Sequence, residues 1–173
     1  MIVVMNSGYA LTEEDDPVFF PGDFTKELVE DCIPFIEQRY HVKSDKWNRA
    51  VAGLSLGSAQ AFVAAFSHLE LFGYLGVFSG ALSVPDLSLN YSALFSDKDQ
   101  FNHELGLLYA SAGTGETDLI RTTRPWVETM QKNGFHIQFE TFEGFHEWSP
   151  WRKSLREFAK KLFKEVPDHE SKL

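Results

Sequence analysis

Short apolar runs alternate with helix-length segments from one end of this chain to the other, and few architectures accept that pattern. Ile2-Val3-Val4-Met5, Arg49–Leu54, Tyr74–Phe78, Leu107–Ala112 and His136–Phe142 read as five strands, the first a buried apolar run and the last alternating. Between them, apolar positions recur at helical spacing over Thr25–Arg39, where Leu28, Val29, Cys32, Ile33 and Ile36 share a face and Pro34 predicts a kink. Gly57–His68 and Arg121–Lys132 are further helices, the latter stopped by Asn133-Gly134. Ser149-Pro150 opens a last helix, with Ser149 as N-cap and Pro150 in its first turn, running to about Phe163. Residues 6–23 form a loop with a solvated acidic run at 13–16. Residues 79–104 are irregular, with one short helix near Ser92–Phe95, and Lys164–Leu173 is a frayed tail. Strands alternating with helices build βαβ units. The expectation is therefore one α/β domain over residues 1–173, a mostly parallel sheet of about five strands with helices on both faces. In such sheets the chemistry sits at the carboxyl ends of the strands.

Composition narrows the partners. Sixteen Lys and Arg against 25 Asp and Glu give a net charge of −9, which excludes a basic nucleic-acid footprint and a polybasic membrane patch. No run of eighteen apolar residues occurs, so no transmembrane helix is expected. Cys32 is the only cysteine, which excludes an internal disulfide and multi-cysteine zinc sites; it reads as a helix-core thiol. A cytoplasmic protein fits these facts, and so does a secreted one whose leader precedes this chain.

Gly53-Leu54-Ser55-Leu56-Gly57 has the form G-x-S-x-G. By chance alone it arises in roughly one chain of this length in seventeen. Its setting adds the information, because an apolar strand precedes it and a helix follows it. A tight strand-to-helix turn lifts Ser55 above the sheet, and both glycines are expected where side chains would collide. The Leu56 amide, at a helix N-terminus, is an expected oxyanion donor.

A serine hydroxyl needs a base. Of the six histidines, at 41, 68, 103, 136, 146 and 169, His146 alone lies on a loop after the last strand, with Gly144 to turn it and Phe145 and Trp148 to wall it. The acid that orients the base is expected after the fourth strand, in Gly113-Thr114-Gly115-Glu116-Thr117-Asp118. Asp118 is the favoured acid and Glu116 the alternative; spacing does not decide between them. Trp148 either walls a substrate pocket or packs the start of the last helix. Trp126, Phe135 and Phe139 read as core, and Trp151 and Leu155 as the buried face of the last helix.

These segments resemble a known family. GLSLGSAQAF, LGVFSGAL, GTGETDLI and EGFHEWSPWRKSLREFAKKLF are similar to the α/β-hydrolase esterases that include feruloyl, acetyl xylan and enterochelin esterases, as are the opening IVVMNSGYA and the helix LVEDCIPFIEQRYHV. The resemblance implies a serine carboxylesterase acting on an aryl or acetyl ester, small or polysaccharide-linked, with no metal or organic cofactor. Ser55 is then the nucleophile, His146 the base and Asp118 the acid, with Glu116 still open because the family's acid follows Gly-Thr closely and three residues separate Gly113-Thr114 from Asp118 here. One departure stands out. The family places several strands ahead of its nucleophile, and this chain has one, so it matches the C-terminal two-thirds of a family domain. No His-Gly or Gly-Gly segment precedes Ser55 to give the second oxyanion donor; the Gly8-Tyr9 loop is the substitute its position allows. Loss of one such donor costs roughly 10²–10³ in rate, which predicts a weak esterase. The alternatives are an inactive shortened hydrolase serving as a binding module and an acyltransferase of the same fold. A sheet edge left open by missing strands also invites pairing with a second copy.

Overall fold

Tyr74–Phe78 and Leu107–Gly113 are buried at every position, as parallel strands covered on both faces must be. The structure is a computed structural model that describes residues 1–10, 24–80 and 92–164. These fall into two compact units, Met1–Ser44 and Asp45–Leu173. The sheet lies in the second and comprises β1 (Ala50–Leu54), β2 (Tyr74–Phe78), β3 (Leu107–Gly113) and β4 (Ile137–Phe142). The strands lie side by side in chain order, all parallel. The helices in chain order are α1 (Phe24–Lys26) and α2 (Ile33–Arg39) of the first unit. In the second unit are α3 (Leu56–Ser67), α4 (Ser92–Ser96), α5 (Lys98–Glu104), α6 (Thr117–Lys132) and α7 (Trp148–Ala159).

Because every crossover steps one strand in the same direction, right-handed connections put α3 to α6 on one face. A run of rings records this: Phe62 and Phe66 of α3, Phe95 of α4, Phe101 of α5, and then Trp126 and Phe135. Neighbouring centroids are 4.4 to 5.5 Å apart. Helix α7 follows the last strand and covers the opposite face. Its Phe158 is buried among Tyr74, Phe78 and Tyr109. Gly76 makes the room, since a Cβ there would come within 3.0 Å of the Phe158 ring.

The buried positions of α7 are Pro150, Ser154 and Phe158, one stripe at four-residue steps. Leu155 lies one residue off that stripe and is 51% exposed, which corrects the expectation that it is core. Phe158→Ala is therefore expected to cost about 3–5 kcal/mol, and Leu155→Ala less than about 0.5 kcal/mol. Urea unfolding midpoints of the two variants check this pair.

Other expectations change in detail. Ile2–Met5 is no strand; it has no ladder partner among the described residues and each of its side chains is exposed. The sheet therefore has four described strands where about five were expected. In the first unit, Pro34 acts upstream of itself. Glu27–Cys32 winds as a π-helix and the Ile33 amide bonds to the Leu28 carbonyl, five residues back, which accommodates a proline that lacks an N–H. Cys32 is half-buried there, and burial together with Glu27 and Asp31 pushes its thiol up. The N-cap of α7 is Glu147, not Ser149, because the helix begins at Trp148. Helix α5 escapes the periodicity argument. It is short, buries only Phe101, and is started by Asp97, whose carboxylate accepts from the Asp99 and Gln100 amides. The acidic run 13–16, most of the loop 6–23, the middle of the 79–104 segment and the C-terminal tail lie outside the described residues.

Candidate active site

The carboxyl ends of β1, β2, β3 and β4 converge on one set of polar side chains. β1 ends at Leu54 and α3 starts at Leu56, so Ser55 makes the whole turn. Its backbone is strained, with φ 51° and ψ −124°, a region that L-residues rarely occupy. The turn is held by the Ser55 amide, which donates to the Phe78 carbonyl at 2.9 Å, and by Ser58, whose Oγ donates to the Ser55 carbonyl at 2.5 Å. Gly53 is required: a Cβ there would lie 1.9 Å from the Gly57 carbonyl oxygen. Gly57 is not required for the same reason, since a Cβ on it would reach nothing nearer than Gln60 at 4.0 Å. The collision expected at both glycines is therefore one-sided.

His146 sits between β4 and α7 on a loop seated against two glycines. Gly115 donates to the Gly144 carbonyl at 2.8 Å and Thr114 to the Phe142 carbonyl at 2.8 Å. A Cβ on Gly113 would lie 2.6 Å from the Gly144 and Phe145 carbonyls, and one on Gly115 would strike the Phe145 ring. Glu147 Oε1 accepts from the Phe145 amide at 3.1 Å. Fixed in this way, His146 Nε2 lies 2.8 Å from Ser55 Oγ.

Its other nitrogen, Nδ1, lies 2.7 Å from Glu116 Oε1. Glu116 follows β3 through a turn in which its amide donates to the Gly113 carbonyl at 2.9 Å. That turn folds the side chain back over the strand end. There Oε2 accepts from the Gly113 amide and from Ser79 Oγ, each at 2.6 Å. Asp118, the favoured acid in the sequence, is not part of this arrangement. Helix α6 begins at Thr117, four residues earlier than the pattern suggested, which places Asp118 in the first turn. Its side chain is 90% exposed and pairs with Arg121 at 3.1 Å. The position beside His146 belongs to Glu116, the alternative.

Partial burial by itself raises the Glu116 carboxyl, but hydrogen bonds from Ser79, His146 and Gly113 outweigh it and hold the group below the usual carboxylate range. Glu116 is thus an ionised acceptor at neutral pH. An acceptor-only carboxylate requires the proton on Nδ1, which leaves Nε2 to accept from Ser55. The depressed carboxyl also sets a sign for stability. Its contribution is complete above the unfolded carboxylate range and is lost as pH falls through the lower folded value. The melting midpoint of the wild type should exceed that of Glu116→Gln at pH 7, and the gap should close as pH falls below about 4.

Leu56, the expected oxyanion donor, is the first residue of α3, where backbone N–H groups lack intrahelical partners. Trp148 is 66% exposed. Its ring meets Trp151 edge-on at 5.4 Å, and Trp151 meets the His146 ring edge-on at 4.9 Å. Phe145, 67% exposed, flanks the same loop. Gly8 and Tyr9 belong to the first unit. No described helix is long and apolar enough to cross a membrane, and among the described residues no cluster of His, Cys, Asp or Glu could hold a metal.

Ser79 was missed by sequence reasoning. The available signal was a serine followed by glycine, Ser79-Gly80, at the carboxyl end of a strand that is otherwise fully apolar.

A family model described as "Putative esterase" matches residues 22–162. An endo-1,4-beta-xylanase/feruloyl esterase of Xylanibacter ruminicola is 31% identical over 147 residues, covering 84% of this chain and 18% of that protein. Among solved structures, a ferulic acid esterase superposes with a TM-score of 0.66 at 20% identity, covering 90% of this chain and 64% of its own. The enterobactin esterase of Shigella flexneri superposes at 0.59 with 20% identity, covering 78% of this chain and 36% of its own. The fold is that of the α/β-hydrolase esterases. This chain spans less than two-thirds of the length of each of these relatives.

Proposed function

Because this chain belongs to the "Putative esterase" family, we propose that it is a serine carboxylesterase whose working residues are Ser55, His146 and Glu116. The observation that carries the reading is the continuous chain of bonds from Ser55 Oγ through His146 to Glu116, at 2.8 and 2.7 Å. Ser55 Oγ attacks the ester carbonyl carbon while His146 Nε2 takes its proton. The C=O bond becomes a single bond to an oxyanion, which the Leu56 amide at the positive end of α3 stabilises. The imidazolium is balanced by ionised Glu116. Collapse of the intermediate breaks the bond to the alcohol, which leaves with the proton from His146, and Ser55 keeps the acyl group. Water, deprotonated by His146, then attacks the acyl-enzyme; the bond from the acyl carbon to Ser55 Oγ breaks, Oγ takes the proton back from His146, and the carboxylic acid is released. Acceptance of the acyl group by an alcohol in place of water would make the same site a transferase.

The exposed rings of Trp148 and Phe145 beside His146 favour an aryl ester, since flat apolar groups bury well against aromatic faces. A fluorophosphonate probe tests the reading. It phosphonylates an activated serine, and peptide mass locates the adduct. One adduct on Ser55, absent from His146→Ala, is the expected result. A folded protein with no adduct on Ser55 overturns the assignment.

A further inference from the structure

The turn after β2 carries a strained serine that points away from solvent and toward the acid. Ser79 is 5% exposed and has φ 49°, the left-handed region that disfavours any residue with a Cβ. Its amide donates to the Ser111 carbonyl of β3 at 2.7 Å. That bond extends the parallel ladder by one residue and fixes the turn. The hydroxyl then lies over the end of the neighbouring strand, 2.6 Å from Glu116 Oε2. The next residue must be glycine, because a Cβ on Gly80 would overlap Ser58 Oγ. Ser58 in turn holds the Ser55 carbonyl. One tight corner therefore touches both the strained serine turn and the acid.

We propose that Ser79 is a positioning residue that acts through Glu116, an inference that rests on the esterase reading above. A carboxylate held by one donor can pivot about it. With Gly113 N–H and Ser79 O–H both on Oε2, the group has a fixed plane, and Oε1 is left to receive His146 Nδ1–H. The two donors also favour the ionised form that this task needs. Ser79 itself is buried and its hydroxyl is turned to Glu116, so the role assigned to it acts on the rate constant and not on binding. The strained backbone at Ser79 is consistent with a place where local geometry serves the site.

The experiment compares Ser79→Ala and Ser79→Gly, each alone and with Glu116→Gln, on p-nitrophenyl acetate. Isotope-labelled histidine NMR reads the His146 tautomer alongside. Glycine relieves the φ strain and removes the hydroxyl, so that variant is expected to fold whatever the alanine variant does. In both variants kcat should fall roughly tenfold, the size of one lost bond to a charged group, with KM within about twofold. On the Glu116→Gln background the same change should cost less than about twofold, since the two residues act as a unit. His146 should lose its single Nδ1–H tautomer. A Ser79→Gly enzyme with wild-type kcat and an unchanged His146 spectrum overturns the proposal. If the wild type itself turns over no ester, the esterase reading fails. The tautomer in Ser79→Gly still decides the role of Ser79: its persistence overturns the proposal and its loss supports it.

Discussion

Ser55→Ala is expected to lower kcat on an aryl acetate by roughly 10⁶, His146→Ala by nearly as much, and the double variant by no more than either alone. Alanine at 55 leaves no atom to form the acyl bond. Alanine at 146 leaves Ser55 Oγ protonated at neutral pH, without the base it contacts. Each substitution removes the same covalent route, so the second removes nothing further. What remains comes from the Leu56 amide and from substrate positioning, which act on direct attack by water. The measurement is kcat for the three variants, with protein concentration set by absorbance and folding checked by melting. Losses that multiplied in the double variant would mean that Ser55 and His146 work independently, and the 2.8 Å contact between them would then have no mechanistic meaning. Neither change is expected to unfold the protein. Ser55 is turned by its backbone, not by its hydroxyl, and His146 is half-exposed.

What the sequence carried depended on the range of the physics involved. β2 coincides with the apolar run that predicts it and β3 falls within one residue of its run, because a strand buried on both faces must be apolar throughout; the partly buried edge strands β1 and β4 also fall within one residue of theirs. The Ser55 turn was legible for a local reason, the Gly53 position that admits no Cβ. His146 was legible by its place after the last strand. Which carboxylate lies beside His146 was not legible, because Glu116 and Asp118 are two residues apart and both lie in a loop when read from sequence. Their difference comes from the helix start at Thr117 and from the Gly113 turn that folds Glu116 back, neither of which composition encodes. Ser79 was hidden for a similar reason. Its partner is 37 residues away, and only the β2–β3 pairing brings the two together. Ile2–Met5 shows the opposite failure: β-branched composition supplies propensity, but a strand also needs a neighbour to share its ladder.

The choice between the two carboxylates has a large expected signature. Glu116→Gln should lower kcat by roughly 10⁴ with KM nearly unchanged, whereas Asp118→Asn should leave kcat within about twofold. Glutamine keeps the size of glutamate but not its hydrogen-bond polarity. At the Oε2 position the Gly113 N–H and Ser79 O–H are both donors, and the Gly113 amide cannot turn into an acceptor. The glutamine carbonyl oxygen must therefore face Gly113, which turns its NH₂ toward His146 Nδ1. A donor there stabilises the tautomer with Nδ1 bare and the proton on Nε2. That imidazole cannot accept the Ser55 proton, so the base is disabled while its geometry is preserved. Loss of the negative charge also removes the partner of the imidazolium that forms during attack. Asp118 has no such connection. Its carboxylate is largely in water and, among the described residues, holds only Arg121, three residues on, an exposed pair worth at most about 1 kcal/mol of stability. The two kcat values, measured at pH 7 on folded variants, separate the cases. A loss of several thousandfold in Asp118→Asn with Glu116→Gln intact would return the acid to Asp118 and require the loop after β3 to rearrange when substrate binds.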